Sequence, residues 1–337
     1  MMSGQVKSQA EPQTGSVWVV IVAYNSYSDT ADCLRSLKAA TWPDLSVTLV
    51  DNGSTDGSGD RLRREFPEFS HIVSTHNLGF AGGCNLGIRE ALKAGADFIC
   101  LLNNDTLVEP GFIEPLVARF AAETAGNHLV DADTSRQTGE PRIGVAGGKI
   151  FYDEPGEIIW FAGGVIDRRT GFTSHTGQDQ ADSLAFNEAG PVDYITGCLF
   201  LVPARLFRSL GLLDERLFMY CEEVDFCLRA RRAGYRSYYE PASVIRHRVS
   251  RSMGGAYRPV YYYYQTRNLL EVYHKNLGGS RVSLAIARIA WRLVVMQTIT
   301  MLRAHRKRAG RYILAIWRGL ADYLAGKFGK NRYGWLE

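Results

Sequence analysis

Four short polar residues follow an apolar, strand-like run at the point where that strand should end. Asn103, Asn104, Asp105 and Thr106 come directly after residues 98–102, and open α/β sheets bind ligands at the carboxyl ends of their strands. Carboxylate and amide oxygens are ligands that Mg²⁺ or Mn²⁺ prefers. The segment is therefore either a site for a metal-held phosphate or an ordinary Asn/Asp turn.

Two earlier apolar runs also end in polar residues. The first is followed by Ala23, Tyr24 and Asn25, and the second by Asp51. Because the carboxyl ends of parallel strands lie along one edge of a sheet, we expect these residues to meet Asp105 there. A nucleotide-binding crevice is the site that this convergence predicts.

A glycine-rich segment, residues 77–85, opens a predicted helix. It contains Asn77, Gly79, Gly82 and Asn85. Glycine lets the backbone approach a ligand closely, and the amino end of a helix favours a phosphate. The alternative is a tightly packed helix start in which the asparagines only cap.

A second acidic cluster holds Glu222, Glu223 and Asp225. On a helix, Glu222 and Asp225 share a face, Asp225 can pair with Arg229, and Glu223 projects elsewhere. A solvated helix start enriched in acids is the ordinary interpretation. The apolar residues that precede the cluster favour a packed carboxylate whose pKa is tuned for general-base work.

His247 ends another apolar run. A neutral imidazole can bind a metal, and a polar surface residue between Arg246 and Arg248 is the alternative.

The composition is that of an ordinary globular protein, but charge is distributed unevenly along the chain. The 337 residues are 46% hydrophobic and 22% charged, which excludes general disorder. Residues 1–266 carry 25 basic and 32 acidic side chains, whereas residues 267–337 carry 14 and 3. The basic tail indicates an anionic partner, either a membrane surface or another polyanion, and we expect no nucleic acid.

The cysteines and the hydropathy indicate a cytoplasmic protein. Six cysteines are scattered without a CxxC pair, as in a reducing compartment. Residues 1–15 lack the apolar core of a signal peptide and are predicted to be a flexible terminus. No stretch reaches the roughly 18–20 apolar residues of a membrane span, so any membrane contact should be peripheral, at the inner face of the cytoplasmic membrane.

Alternating strand and helix signals predict a doubly wound α/β sheet. The predicted strands are residues 17–22, 47–50, 71–74, 98–102, 143–150 and 194–202, and the predicted helices include 28–40, 85–93 and 222–233. Residues 121–142 are predicted to be a surface insertion, and residues 160–193 a long loop that faces the substrate. We therefore predict a catalytic domain over residues 16–260 and a helical basic extension over residues 261–330.

The extension has an amphipathic pattern. One stripe is apolar and another is basic. The apolar stripe consists of Ile286, Ile289, Leu293 and Met296, and the basic stripe consists of Arg281, Arg288 and Arg292. Residues 281–324 therefore either attach to an anionic inner leaflet or pack against the catalytic domain or a second copy of the chain, as in a homodimer.

In this order, the motifs resemble the family 2 inverting glycosyltransferases with the GT-A fold, particularly the rhamnosyltransferase-like members that build bacterial polysaccharides. The resemblance covers residues 17–252 and, more weakly, 261–329. It is carried by VIVAYN, LVDNGSTDGS, NLGFAGGCNLGI, LLNNDT, DYITGCLFLVPARLF and GLLDERLFMYCEEVDFCLRARRAGYR. The fold it implies is a mixed α/β sheet followed by a helical basic extension.

The resemblance also implies roles for the residues that match these motifs. Asp51 would accept a hydrogen bond from the base or ribose of a nucleotide-sugar. The remaining residues of the donor site would be Ala23, Tyr24, Asn25, Asn77, Gly79, Gly82, Asn85 and Asn104.

The catalytic groups follow in the same way. Asp105 would be the main protein ligand of Mg²⁺ or Mn²⁺, with the donor pyrophosphate, water and His247 in the shell. Only the last acid of the family's Asp-x-Asp is present. Glu223 would be the base, with Glu222 and Asp225 in support.

The implied function is metal-dependent, inverting transfer of a sugar from dTDP-rhamnose or a UDP-sugar to a glycan or lipid-linked acceptor. A sugar nucleotidyltransferase is the alternative enzyme, but it should carry a basic loop after the first strand, and residues 17–31 contain no Lys or Arg. A non-catalytic carbohydrate-binding protein is the alternative without chemistry. Neither a dinucleotide fingerprint nor a P-loop is present.

Overall fold

Parallel strands alternating with helices make up the first part of the computed structural model, which describes residues 15–127, 141–154, 156–167, 169–248, 258–277, 284–304 and 309–336. The elements are β1 (Val17–Ala23), α1 (Tyr27–Leu37), β2 (Leu45–Asp51), α2 (Ser58–Glu65), β3 (Ser70–Val73), α3 (Gly79–Ala94) and β4 (Phe98–Asn103). Strands β1 and β4 are buried almost throughout, as expected for parallel strands with both faces covered.

The second part adds short strands and the rest of the sheet. Its elements are β5 (Thr106–Val108), α4 (Glu114–Asn127), β6 (Arg142–Tyr152), β7 (Ile159–Phe161), β8 (Gly164–Ile166), β9 (Thr173–His175), β10 (Gly190–Val192), β11 (Leu199–Pro203), α5 (Ala204–Leu210), α6 (Glu222–Arg232) and β12 (Tyr235–His247).

The main sheet is mixed, with the order β10-β12-β6-β11-β4-β1-β2-β3. Strand β11 runs antiparallel to both of its neighbours, whereas β12 is parallel to β6. The register pairs Ala23 with Asp51, and Val22 with Asn103. Three of the predicted strand ends therefore lie side by side, as the sequence predicted.

The predictions for the middle of the chain need correction. The strand predicted at residues 194–202 begins only at Leu199, because a turn at Gly197 precedes it and Tyr194 makes a single bridge to Gly164. The predicted loop at 160–193 contains the short strands β8, β9 and β10, and three residues are too few to give a period-2 pattern. Most of the predicted surface insertion, residues 128–140, lies outside the described residues.

Three helices close the chain: α7 (Pro259–Leu277), α8 (Leu284–Ala304) and α9 (Ala309–Leu324). Ile286 and Leu293 of α8 join the main core, and Val294 packs with Ile316 of α9. One face of the predicted extension therefore packs on the main core. Among the described helices, none combines the length and apolarity that a membrane span requires.

Candidate active site

Asp105 and His247 meet beyond the end of β4. Pairing of β5 with β12 places Thr106 opposite His247, and the backbone N–H of Arg248 donates to the carbonyl of Asp105 across 2.9 Å. The Nε2 atom of His247 lies 3.0 Å from Oδ1 of Asp105, and both side chains are buried. The structure thus brings together the two residues that we predicted as metal ligands.

The separation of these two atoms suits a shared divalent cation. Ligand atoms at adjacent corners of an octahedron, each about 2.1 Å from Mg²⁺, are about 3.0 Å apart. Within the described part of the chain, no third His, Cys, Asp or Glu completes a metal-binding group. The donor set therefore fits a metal that shares its shell with a phosphate ligand and water.

An aromatic wall packs against His247. The Trp160 ring lies edge-on to His247, with 4.4 Å between centroids, and also contacts His175 at 4.6 Å. Burial lowers the pKa of His175 to about 4, so its imidazole is neutral near pH 7. Sequence reasoning placed both residues in a substrate-facing region without identifying either, because isolated aromatic residues carry no spacing signal.

A hydrogen-bond network joins the residues after β1 and β2. Asn25 has φ +50°, its backbone N–H donates to Ser54 Oγ, and its Oδ1 accepts from the N–H of Thr55. Oδ1 of Asp51 accepts from the N–H of Ser54. Tyr24 is exposed beside this network. Three of the predicted nucleotide-pocket residues, Tyr24, Asn25 and Asp51, therefore form one local group.

Two further predicted donor residues connect strand ends to their neighbours. Ala23 is buried, and its carbonyl accepts from the N–H of Asn52 at 2.8 Å. The amide of Asn104 donates to Thr30 Oγ1 of α1 at 2.8 Å. These bonds hold the edges of the crevice at a fixed spacing.

Asn52, which sequence reasoning missed, holds the glycine-rich segment in place. It is buried, and its Nδ2 donates to Asn77 Oδ1 and to the carbonyl of Gly79, while its Oδ1 accepts from the N–H of Leu78. Asn77 in turn accepts from the N–H of Gly79 at 2.8 Å. Gly82 lies one turn further, where a Cβ would come within 2.8 Å of Leu78. Asn77 thus lies just before Leu78, the N-cap of α3, and accepts from the first residue of the helix.

Asn85 has a structural position instead of the donor-facing one that we predicted. Its amide donates to the carbonyl of Leu213 and to Glu215, and its Oδ1 accepts from the N–H of Leu213. The side chain is buried in these contacts. It therefore fastens α3 to the segment that leads to the acidic cluster.

The acidic pair opens α6 in surroundings that disfavour charge. Burial raises the pKa of Glu223 to about 7. Burial and the neighbouring charge of Glu223 raise the pKa of Glu222 well above its ordinary range, and Glu222 Oε2 has no hydrogen-bond partner among the described residues. Burial therefore favours the neutral form of Glu222, whereas Glu223 can exchange a proton near pH 7.

Asp225 does not share these surroundings. It is fully buried, its Oδ2 accepts from Nε of Arg229 at 2.8 Å, and Lys275 Nζ lies 2.8 Å from its Oδ1. The predicted ion pair with Arg229 is confirmed. Because both carboxylate oxygens are held by cations, Asp225 fixes α6 against α7 and is not available as a base.

A strained loop precedes the acidic pair and is clamped from α7. Phe218, Tyr220 and Cys221 all have positive φ, between +67° and +70°, a region that costs non-glycine residues energy. Buried Arg267 and Asn268 both donate to the carbonyl of Leu217. Asn268 also donates to the carbonyls of Met219 and Tyr220. No pattern in the sequence predicts these contacts.

The turn at 196–198 lies next to both the end of β4 and the start of α6. The N–H of Asn103 donates to the carbonyl of Cys198 at 3.2 Å. A Cβ on Gly197 would lie 3.3 Å from the Phe80 ring and 4.0 Å from Cβ of Glu223. Both predicted catalytic regions therefore border one small segment.

We expect the G79A substitution to destabilise the protein by about 2–4 kcal/mol. Gly79 has φ +77°, and a Cβ there would lie 2.2 Å from the carbonyl oxygen of Phe218, in the strained loop. Gly95 is the matched control, since its φ is +82° and nothing lies within 4 Å of its Cβ position; G95A should cost about 1 kcal/mol. Urea unfolding measures both. Equal losses of unfolding free energy in G79A and G95A would contradict the close contact between the added Cβ at residue 79 and Phe218.

Known proteins resemble this chain in sequence. Residues 18–144 match the family model described as glycosyl transferase family 2. N-acetylglucosaminyl-diphospho-decaprenol L-rhamnosyltransferase of Mycobacterium tuberculosis is 29% identical over 250 residues, covering 70% of this chain and 77% of the relative. Galactofuranosyltransferase GlfT1 of the same species is 37% identical over 229 residues, 66% of each chain.

Solved structures resemble it in fold. The mannosyltransferase PcManGT from Pyrobaculum calidifontis, in complex with GDP-Man and Mn²⁺, superimposes with a TM-score of 0.55 at 15% identity, covering 96% of this chain and 91% of that one. GalNAc-T7 with UDP, GalNAc and Mn²⁺ gives 0.51, covering 85% and 58%.

Proposed function

Because the chain carries a family 2 glycosyltransferase domain with the GT-A fold, and is a glycosyltransferase, we propose that it moves a sugar from a nucleotide-diphospho-sugar to a glycan or lipid-linked acceptor in bacterial polysaccharide synthesis. Two of its relatives are named for rhamnosyl and galactofuranosyl transfer, and the donor that we propose is dTDP-rhamnose or a UDP-sugar. The observation that carries the proposal is that the 196–198 turn adjoins both Asn103, at the end of β4 that leads to the Asp105–His247 pair, and Glu223 at the start of α6.

The nucleotide end of the donor would lie along the first two strand ends. Asp51 accepts from the base or ribose, and exposed Tyr24 offers a ring for the base to stack on. Asn25 keeps the loop around them in shape through its bonds to Ser54 and Thr55. The amino end of α3, shaped by Asn52 and Gly79, favours the negative diphosphate.

Asp105 and His247 would hold Mg²⁺ or Mn²⁺. A divalent cation bound there supplies charge stabilisation for the departing nucleoside diphosphate. Both side chains are fixed before the donor arrives, Asp105 through the β5–β12 pairing and His247 through the Trp160 ring. This preorganisation limits the reorganisation that binding requires.

Glu223 would be the general base. It takes the proton from the acceptor hydroxyl, whose oxygen attacks the anomeric carbon from the face opposite the leaving diphosphate. One displacement of this kind inverts the anomeric centre. Burial favours the neutral form of Glu222 beside it, which limits repulsion of the proton-accepting carboxylate. The hydrogen bonds from Arg267 and Asn268 hold the loop before α6 in place.

The pH profile of transfer should rise through about pH 7. A base acts only when deprotonated, and burial raises the pKa of Glu223 to about 7, so kcat/KM should be small at pH 5.5 and level off above pH 8. Tyr194 and Cys221, whose pKa values are influenced by Glu223, stay protonated over this range, because burial raises both pKa values. Burial likewise favours the neutral form of Glu222. The profile is measured at saturating Mn²⁺, with donor affinity followed in parallel. A profile that is flat between pH 5.5 and 8, with unchanged donor affinity, would contradict the assignment.

A panel of nucleotide-sugars tests the function itself. Thermal shift with and without Mn²⁺ identifies the donor, and transfer to lipid-linked and free glycan acceptors is then assayed. We expect a sugar-nucleotide to raise the melting temperature only with the metal, and a new glycosidic bond to follow. Formation of nucleotide-sugar from a nucleoside triphosphate and a sugar phosphate would instead identify a nucleotidyltransferase, and donor-independent glycan binding a carbohydrate-binding protein.

A further inference from the structure

Helices α8 and α9 each expose an apolar strip on the side that faces away from the protein. The strip residues are Leu284, Trp291, Ile299 and Leu302 on α8, and Leu314, Trp317 and Leu324 on α9. Trp291 is 68% exposed and Trp317 is 47% exposed. Tryptophan combines a large apolar ring with one N–H, which suits a boundary between water and an apolar phase. We call these seven residues the α8–α9 face.

The α8–α9 face is distinct from the faces that fold the protein. Ile286 and Leu293 of α8, and Ile316 of α9, are buried against the rest of the chain. The sequence pattern placed Met296 on the same stripe as Ile286, but Met296 is 49% exposed. Helix α8 is therefore apolar on two sides, and among the described residues only one of these sides has a partner.

Arginines flank both strips. At 3.6 residues per turn, Arg288, Arg292 and Arg303 fall on one side of the α8 strip, and Arg311 and Arg318 on one side of the α9 strip. Over the described residues from 284 to 336, the only acidic residue is Asp322, which is buried and accepts from Tyr263 and Tyr333. The face and its rim are therefore apolar and cationic, with no exposed acid among them.

We propose that the α8–α9 face binds the surface of an anionic lipid bilayer. The tryptophans and leucines would enter the boundary between headgroups and acyl chains, and the arginines would contact lipid phosphates. This part of the chain has more basic than acidic residues, so its net charge is opposite to that of such a surface. A second copy of the chain would instead bring the same arginines against each other, which electrostatic repulsion disfavours.

The position of the face suits a lipid-linked acceptor, a point that rests on the proposed function. Ile289 of α8 and Tyr273 of α7 line a cavity of about 380 Å³, whose other wall includes Leu228, Arg231 and Arg232 of α6. Helix α6 carries Glu223 at its other end. Docking through α8 would therefore place the bilayer beside the helix that carries the base.

Sedimentation with vesicles tests the proposal. The full chain is mixed with vesicles of phosphatidylcholine alone or with phosphatidylglycerol. We expect the wild type to bind only to the anionic vesicles. The affinity for these vesicles should fall more than tenfold in W291S/W317S and roughly fivefold per arginine in R288Q/R303Q. The matched controls are L184S, which alters a leucine 85% exposed on the catalytic domain, and K93Q/R205Q; both should bind like the wild type. Equal binding by the face and control variants would overturn the proposal, as would no binding by the wild type.

A site-specific label gives an independent reading. All six native cysteines are buried, so a single cysteine in W291C can be labelled selectively with an environment-sensitive dye. Its emission should rise and shift to the blue on anionic vesicles, whereas a label in L184C should not respond. A dimer in solution that W291S/W317S dissociates, with no dye response to vesicles, would assign the face to self-association instead. Transfer to a water-soluble acceptor should persist in these variants, which separates failure of docking from failure of the proposed function.

Discussion

E223Q should bind the nucleotide-sugar as the wild type does and transfer sugar about 10²–10⁴ times more slowly. Glutamine keeps the shape of the side chain but cannot accept the proton of an acceptor hydroxyl. Glu223 is the member of the acidic pair that can ionise near neutral pH, since its pKa is raised to about 7. Single-turnover transfer measures the chemical step, and calorimetry measures donor affinity.

E222Q is the comparison that makes this result specific. Burial and the charge of Glu223 raise the pKa of the Glu222 carboxyl and so favour its neutral form, which an amide of the same shape resembles. We expect E222Q to lose less than about tenfold in transfer, well below the range expected when a base is removed. Full transfer activity in E223Q, or a larger loss in E222Q than in E223Q, would reject Glu223 as the base.

D105N should weaken Mn²⁺-dependent binding of the nucleoside diphosphate about 100-fold or more, because the proposed metal site would lose the only carboxylate that the described residues place beside His247. His247, at 3.0 Å from Asp105, would be left to hold the cation alone. Without Mn²⁺, wild type and D105N should bind the nucleotide equally weakly. Calorimetric titrations with and without the metal measure this difference directly.

H247Q provides the control for D105N. If the two side chains hold one cation, their effects on Mn²⁺-dependent affinity should not add in the double variant. Additive losses would indicate two independent contacts. An unchanged metal dependence in D105N would remove the metal from this end of the crevice.

The sequence was sufficient to predict the strand ends that build the site. Continuous apolar runs identify strands buried on both faces, so the positions of Asn25, Asp51 and Asp105 at one edge follow from physical rules alone. The acidic cluster was found from its position after an apolar segment, whereas the choice of Glu223 as base within it came from the resemblance to family 2 glycosyltransferases.

Contacts between distant residues could not be predicted. Asn52, Trp160 and His175 act through single contacts that have no period or spacing, and the clamp from Arg267 is made to backbone carbonyls. Likewise, the sequence pattern predicts that α8 is amphipathic but not which of its stripes packs against the rest of the protein. The exposure of Met296 therefore could not be predicted.

The most direct test of the account is the anomeric configuration of the transferred sugar. Once the donor is known, proton NMR of the first product formed with Mn²⁺ gives this configuration before any equilibration. A single displacement assisted by Glu223 predicts a configuration opposite to that of the donor. Retention of the donor's configuration would contradict a one-step mechanism with Glu223 as base.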